Sequence, residues 1–140
     1  MAVLKFDGYR VDSMSYSRNS KFSDFENKRK VTYHPEFEAH TIIHEDTDKA
    51  ELTLNFKVPD DFPFLVEVTI TGSFSYVKVE DKTGVGLKNL VQVNGSAILF
   101  PYIRAIVSQL TGMANEYTPL LLPTINIGAI LAKHSRNESK

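Results

Sequence analysis

Two periodicities divide this chain. From Glu51 to Val58 the even positions are Leu52, Leu54, Phe56 and Val58, and the odd ones are Glu51, Thr53, Asn55 and Lys57. From Phe64 to Tyr76 the even positions run Phe64, Val66, Val68, Ile70, Gly72, Phe74 and Tyr76, set against Leu65, Glu67, Thr69, Thr71, Ser73 and Ser75. Alternation with a period of two predicts antiparallel strands with one face covered and one wetter. Pro59 to Pro63 joins them as a short hairpin loop, since proline and aspartate suit turns and cannot continue a central ladder. An earlier strand, Glu36 to His44, puts Phe37, Ala39, Thr41 and Ile43 on one side, and the acidic turn Glu45 to Lys49 leads onward. A first strand near Tyr9 to Ser17 is less regular: Tyr9 and Val11 share one parity, Met14 and Tyr16 the other. A bulge between the two halves reconciles them. Arg18 to Tyr33 is a polar connection too long for a tight hairpin. Three hairpin-linked strands plus one joined by a long crossing make a Greek key, with expected spatial order 2-3-4-1.

After a turn at Asp81 to Gly86 the pattern changes. Leu87 to Val93 reads as a short helical lead-in, and a long helix starts near Ser96, with Pro101 shifting its true start by up to a turn. Gly112 is placed to end it. The run Ile98 to Leu110 is apolar on nearly every side, and Arg104, Ser108 and Thr111 form its clearest polar stripe. A surface helix usually has one apolar and one wet face. This one has too little wet face for a monomer's surface and is too short to cross a bilayer. A second layer of protein, most simply another subunit, is expected over it. A loop, Met113 to Pro123, carries Leu120, Leu121 and Leu122, and Thr124 to Leu131 forms a second, short helical element. The polar end, Ala132 to Lys140, is expected to fray. The class is α+β. At 140 residues the chain fits a single domain spanning 1–140.

Composition removes more than it adds. A net charge of −1 gives no global pull toward nucleic acid or anionic lipid. The absence of cysteine excludes disulfides, thiol chemistry and thiolate metal sites, which fits the cytosol. The first residues lack the basic start and apolar block of a secretion signal, so the Asn-x-Ser triplets at Asn94 and Asn137 carry no meaning for glycosylation, and a cytoplasmic location is expected.

Candidate chemistry is sparse. His40 and His44 have the spacing at which a helix holds zinc, but Thr41, Ile42 and Ile43 are all β-branched and favour a strand. In a strand that spacing spans roughly 13 Å, too far for one ion. His34 and His134 stand alone. Gly84-Val-Gly86 has no third glycine and no lysine–serine pair to complete a phosphate loop. Glu45, Asp46 and Asp48 lack the loop length and terminal glutamate of a calcium site. No nucleophile motif, metal site or cofactor fingerprint is present, so neither an enzyme nor a cofactor is expected. Arg18 to Lys30 mixes basic residues with Phe22 and Phe25, without an RNA-binding signature. The two phenylalanines either tuck back onto the sheet or line a binding surface.

Three strings resemble the SecB family of protein-export chaperones. The family strand Phe-Leu-x-Glu-Val, followed by glycine and Phe-Ser, is matched by Phe64-Leu-Val-Glu-Val68 and then Gly72-Ser-Phe74-Ser75. The family helix opening Asn-Ile-Leu-Phe-Pro-Tyr-x-Arg is matched by Ala97-Ile-Leu-Phe-Pro-Tyr-Ile-Arg104. Beyond it, Leu-x-Pro-x-Asn-Phe-x-x-Leu is similar to Leu122 to Leu131 with a small insertion. The resemblance runs from about Tyr9 to Leu131. It implies that a long and a short C-terminal helix lie on one side of the sheet, in a homo-oligomer that is a dimer of dimers with the long helices between sheets. The oligomer interface then falls on Ile98, Leu99, Tyr102, Ile103, Ile106, Val107 and Leu110.

The same resemblance implies an ATP-independent holdase that binds unfolded polypeptide clients in apolar grooves, by nonspecific burial of side chains with strand-like pairing. Client-binding candidates are Met14, Tyr16, Phe22, Phe25, Leu120, Leu121 and Leu122; methionine and aromatics adapt well to varied partners. Leu65 and Glu67 match positions at which the family docks the SecA motor. Ser13 and Ser17 stand where the family has acidic residues, and its longer last helix and metal-binding tail are replaced by Lys133 to Lys140. The alternatives are a SecB-like chaperone dedicated to an antitoxin, and an oligomeric small-ligand binder or hot-dog-type enzyme.

Overall fold

A computed structural model describes residues 4–20, 36–77 and 85–123, together with residues 127, 128, 130 and 131. Four strands, β1 (Leu4–Arg18), β2 (Glu36–His44), β3 (Lys49–Lys57) and β4 (Phe64–Tyr76), form one antiparallel sheet in the order β1-β4-β3-β2. This is the order expected from the long crossing after β1. Most of the crossing, with Phe22 and Phe25, lies outside the described residues, as do 81–84 of the turn expected at 81–86 and the 132–140 end; residues 85 and 86 are helical.

β3 and β4 follow their alternation closely. Ala50, Leu52, Leu54 and Phe56 of β3, and Phe64, Val66, Val68, Ile70, Phe74 and Tyr76 of β4, are buried on one face. β1 is longer than its sequence pattern suggested, because it is bulged twice. Its register against β4 shifts between Phe6 and Gly8 and again between Val11 and Ser13. Each extra residue, Asp7 and Asp12, moves the following side chains to the other parity. Leu4 and Phe6, then Tyr9 and Val11, then Met14 and Tyr16 therefore share the helix side, the parity changing at the first bulge and changing back at the second. At the first bulge Gly8 adopts φ 135°, a conformation that side chains rarely allow.

The helical segment begins at α1 (Val85–Leu90), passes through a π-helical turn (Val91–Gly95) and continues as α2 (Ser96–Ala114). Pro101 lies inside α2 rather than at its start. Proline removes one intrahelical bond, and Ala97 and Pro101 are both on the exposed side, where the freed carbonyl can face solvent. α2 does not stop at Gly112. It ends two residues later, with Asn115 in the left-handed conformation (φ 57°) and its N–H donating to the Gly112 carbonyl at 3.2 Å. Asparagine tolerates that conformation nearly as well as glycine. The expectation that this segment is too short to cross a membrane also needs correction: Leu87–Ala114 is 28 residues, long and apolar enough by length and composition. Much of its apolar surface is taken up by the sheet.

Leu99, Ile103 and Val107 are fully buried against the chain's own sheet. These three were expected at an oligomer interface and are instead core. The close approach depends on Gly72 of β4: a β-carbon there would stand 2.7 Å from Leu99 Cδ2. Thr111, read as part of a wet stripe, is buried as well, and its hydroxyl donates to the Val107 carbonyl at 2.8 Å. Ile98, Tyr102, Ile106 and Leu110 pack only partly against the core. Residues 127, 128, 130 and 131 are helical, and Ile127 and Leu131 join the same core.

Candidate functional site

Helix α2 runs alongside β1 in the same direction. At one end Tyr9 stacks on Tyr102 with ring centroids 4.2 Å apart. At the other, Tyr16 donates a hydrogen bond from its hydroxyl to Glu116 Oε1 at 3.1 Å. Between these ties the helix side of β1 is open: Val11 is 41% and Met14 55% exposed. Their β4 partners across the ladder, Ile70 and Val68, are wholly buried. The difference arises because β1 is the edge strand and nothing among the described residues covers its outer half. Met113, 71% exposed, adds a second flexible side chain at the far end of α2. β1 therefore offers an apolar strip beside an unpaired strand edge, the arrangement by which an extended peptide adds to a sheet.

The strip ends in an aromatic cluster. Tyr16 stacks on Phe64 at 5.4 Å, Tyr117 lies 5.7 Å from the same ring, and Phe62 meets it edge-on at 5.0 Å. Glu116 is held twice, by the Tyr16 hydroxyl and by Arg18 Nε at 2.8 Å from Oε2. Burial first, then the bond to Glu116, pushes the Tyr16 hydroxyl up to about 12, so it donates throughout the neutral range. The segment after α2 returns toward the helix, where the Leu120 N–H donates to Thr111 Oγ1 at 2.8 Å.

The leucines of this segment are not equivalent. Leu120 is half-buried, Leu121 is 68% exposed and Leu122 is 1% exposed. In this conformation Leu122 is core and cannot touch a client, which corrects its place among the binding residues. Tyr16 is half-buried, Met14 and Leu121 are accessible, and Phe22 and Phe25 are outside the described residues. Sequence reasoning missed Arg18, Glu116 and Tyr117. A lone charge in an otherwise uncharged loop was the available signal for Glu116, but nothing in sequence spacing links it to a strand a hundred residues earlier.

The opposite face of the sheet is polar and cross-linked. Asp12 accepts from Arg10 Nε at 2.8 Å and from the Thr71 hydroxyl, which lies 2.9 Å from Thr53 Oγ1. Arg10 also reaches Glu51 at 3.4 Å, and Glu51 lies 3.1 Å from His44 Nε2. The Thr71 bond and then Arg10 hold the Asp12 carboxyl below its ordinary range; His44 leads the same effect on Glu51. His40 and His44 are both exposed along extended β2, and no metal-competent cluster of three or more ligands occurs among the described residues. Near the 59–63 loop, Leu65 and Glu67 line a shallow depression of about 300 Å³ with Ser15, Ser17, Lys57 and Asp60. Glu67 accepts from Asn55 Nδ2 at 2.9 Å.

A family model described as the preprotein translocase subunit SecB matches residues 15–138. The chain belongs to the SecB family. It is 31% identical to the protein-export protein SecB of Nitrosomonas europaea over 97 residues, covering 69% of this chain and 58% of that protein. It is 35% identical to MJ0357 of Methanocaldococcus jannaschii over 71 residues, 50% of this chain and 43% of that one. The matched part thus spans about half the length of these curated relatives. In fold, it is similar to the Mycobacterium tuberculosis Rv1957 SecB-like chaperone, solved in complex with a ChAD peptide from the Rv1956 HigA1 antitoxin. The TM-score is 0.70 at 20% identity, over 87% of this chain and 90% of that one. Within the SecB family frame, β1, α2 and the segment after it are the elements that carry the exposed apolar residues described above.

Proposed function

We propose that this SecB family member is a cytoplasmic, ATP-independent holdase that binds unfolded polypeptides along β1 and α2. The observation that carries the reading is the strip of Val11 and Met14, exposed along a strand edge that no described residue pairs, with Met113 exposed on α2. A client would gain burial of its apolar side chains and backbone pairing, with no chemistry and no nucleotide. No residue needs a catalytic role in such an activity. The partly exposed ridge Ile98, Tyr102, Ile106 and Leu110 supports a homo-oligomer, proposed as a dimer of dimers within a single domain of 1–140. SecA docking on Leu65 and Glu67 is the finer proposal for the polar face, and Ser13 and Ser17 distinguish this surface from the acidic one of the family.

The test is suppression of aggregation of a chemically unfolded enzyme, followed by light scattering without nucleotide. Substoichiometric oligomer should suppress it, and no effect on several unrelated clients would reject the reading. Rv1957 is held with an antitoxin peptide, and this motivates a second reading, a chaperone with one dedicated antitoxin client. Activity confined to one antitoxin, with no suppression for generic clients, would favour it.

A further inference from the structure

The segment from Asn115 to Leu122 is a strap that crosses the aromatic cluster at Tyr117. Tyr117 lies on the Phe64 ring and Leu122 is wholly buried, so the strap occupies apolar space that an extended peptide could fill in the same way. Residues 118–123 form no helix or strand. Two polar clasps are among the ties that hold the strap. One is Glu116, on Tyr16 and Arg18 of β1; the other is the Thr111 hydroxyl, accepting from the Leu120 N–H. The Arg18 side chain is 80% exposed, so water and salt weaken its ion pair. A segment held by isolated bonds rather than by a ladder belongs to the low-stability end of a fold.

We propose that this strap is an autoinhibitory cover, released when an extended apolar segment of a client displaces Tyr117 from the cluster and Leu122 from the core. Glu116 and Thr111 set how readily it lifts. Displacement exchanges one set of buried apolar side chains for another, so the apolar terms largely cancel and the polar clasps decide the balance between closed and open states. The conflict over Leu122, core when closed yet part of a client-facing loop, is resolved by the same step. The inference deepens the holdase reading and rests on it for the identity of the occupant.

The chain's lack of cysteine makes the strap lockable. Gly112 and Pro119 face each other: a β-carbon at 112 would stand 3.7 Å from Pro119 Cβ, within the range a disulfide spans. Oxidised Gly112→Cys/Pro119→Cys, its bond verified by mass, should bind a labelled, permanently unfolded α-lactalbumin about tenfold more weakly than wild type, with full recovery in dithiothreitol. Unchanged affinity in the locked form would overturn the proposal. Failure of wild type and reduced variant alike would instead reject the holdase reading. The clasp is read independently of any client by hydrogen exchange. Thr111→Val should speed exchange at the Leu120 amide about tenfold while the Val68 amide stays protected. Equal exchange at Leu120 in both proteins would also overturn it.

Discussion

β4 and β1 are neighbours in one sheet, paired along their length except at two bulges, yet they do opposite work. On the helix side β4 presents Val66, Val68 and Ile70, all sealed, while β1 presents half-buried Tyr16 and exposed Met14 and Val11 at the matching positions. β4 has a strand on each side and a helix above; β1 has one strand and only the flank of that helix. The contrast locates stability in the middle of the sheet and binding at its edge. Each substitution below should act on one of these regions and spare the other.

The largest effect belongs to the centre. Leu99→Ala would remove a fully buried side chain between α2 and β4, and calorimetry or urea unfolding should show a loss of about 2–5 kcal/mol. Filling the same contact is the next test. Gly72→Val places a β-carbon 2.7 Å from Leu99 Cδ2 and 3.0 Å from Phe74 Cε2. Both neighbours are buried and cannot swing away, so overpacking should cost about 1–3 kcal/mol. A stable Gly72→Val protein would show that helix and sheet do not meet as closely as described.

At the edge the ordering reverses. Met14→Asp alters an exposed side chain and should change unfolding stability by no more than about 0.5 kcal/mol. The same change should strongly weaken suppression of client aggregation, because it sets a charge in the middle of the apolar strip. If Met14→Asp destabilised the protein while leaving client binding intact, the division between centre and edge would be wrong.

How much of this could be read beforehand follows the same division. In β3 and β4 one environment acts on each face, and the alternation from Glu51 to Tyr76 yielded strands, faces and the hairpin between them. In β1 the two bulges shift the phase twice, so Leu4 and Phe6 were missed as strand, although the second bulge was implied by the clash between Val11 and Met14. For α2 the apolar run marked the helix but not its sides. Leu99, Ile103 and Val107 look no different in sequence from Ile98, Tyr102 and Ile106; only packing on the sheet separates core from flank. Thr111 misled for a related reason: a hydroxyl can be buried when helix carbonyls accept its proton and a returning loop donates to it. The Glu116 contacts to Tyr16 and Arg18 join segments far apart in the chain, where periodicity carries no information.

The smallest expected effect tests whether the edge is tied to the strap at all. Tyr16 is an acid whose folded pKa lies near 12 against an ordinary value of 10.0. The folded state therefore holds this proton more tightly than the unfolded one. The associated stability is fully present below about pH 10 and declines as pH rises from there toward 12. Tyr16→Phe keeps the ring on Phe64 but removes the hydroxyl. At neutral pH it should lose only the bond to Glu116, about 0.5–1.5 kcal/mol. Above pH 10 the difference from wild type should shrink, because wild type alone has this proton to lose. The Arg18–Glu116 ion pair is common to both proteins, so the comparison isolates the hydroxyl. Parallel stability curves from pH 8 to 12 would mean that the Tyr16 hydroxyl does not sit in the contact described. Convergence of the two curves would place it there and tie β1 to the segment that follows α2.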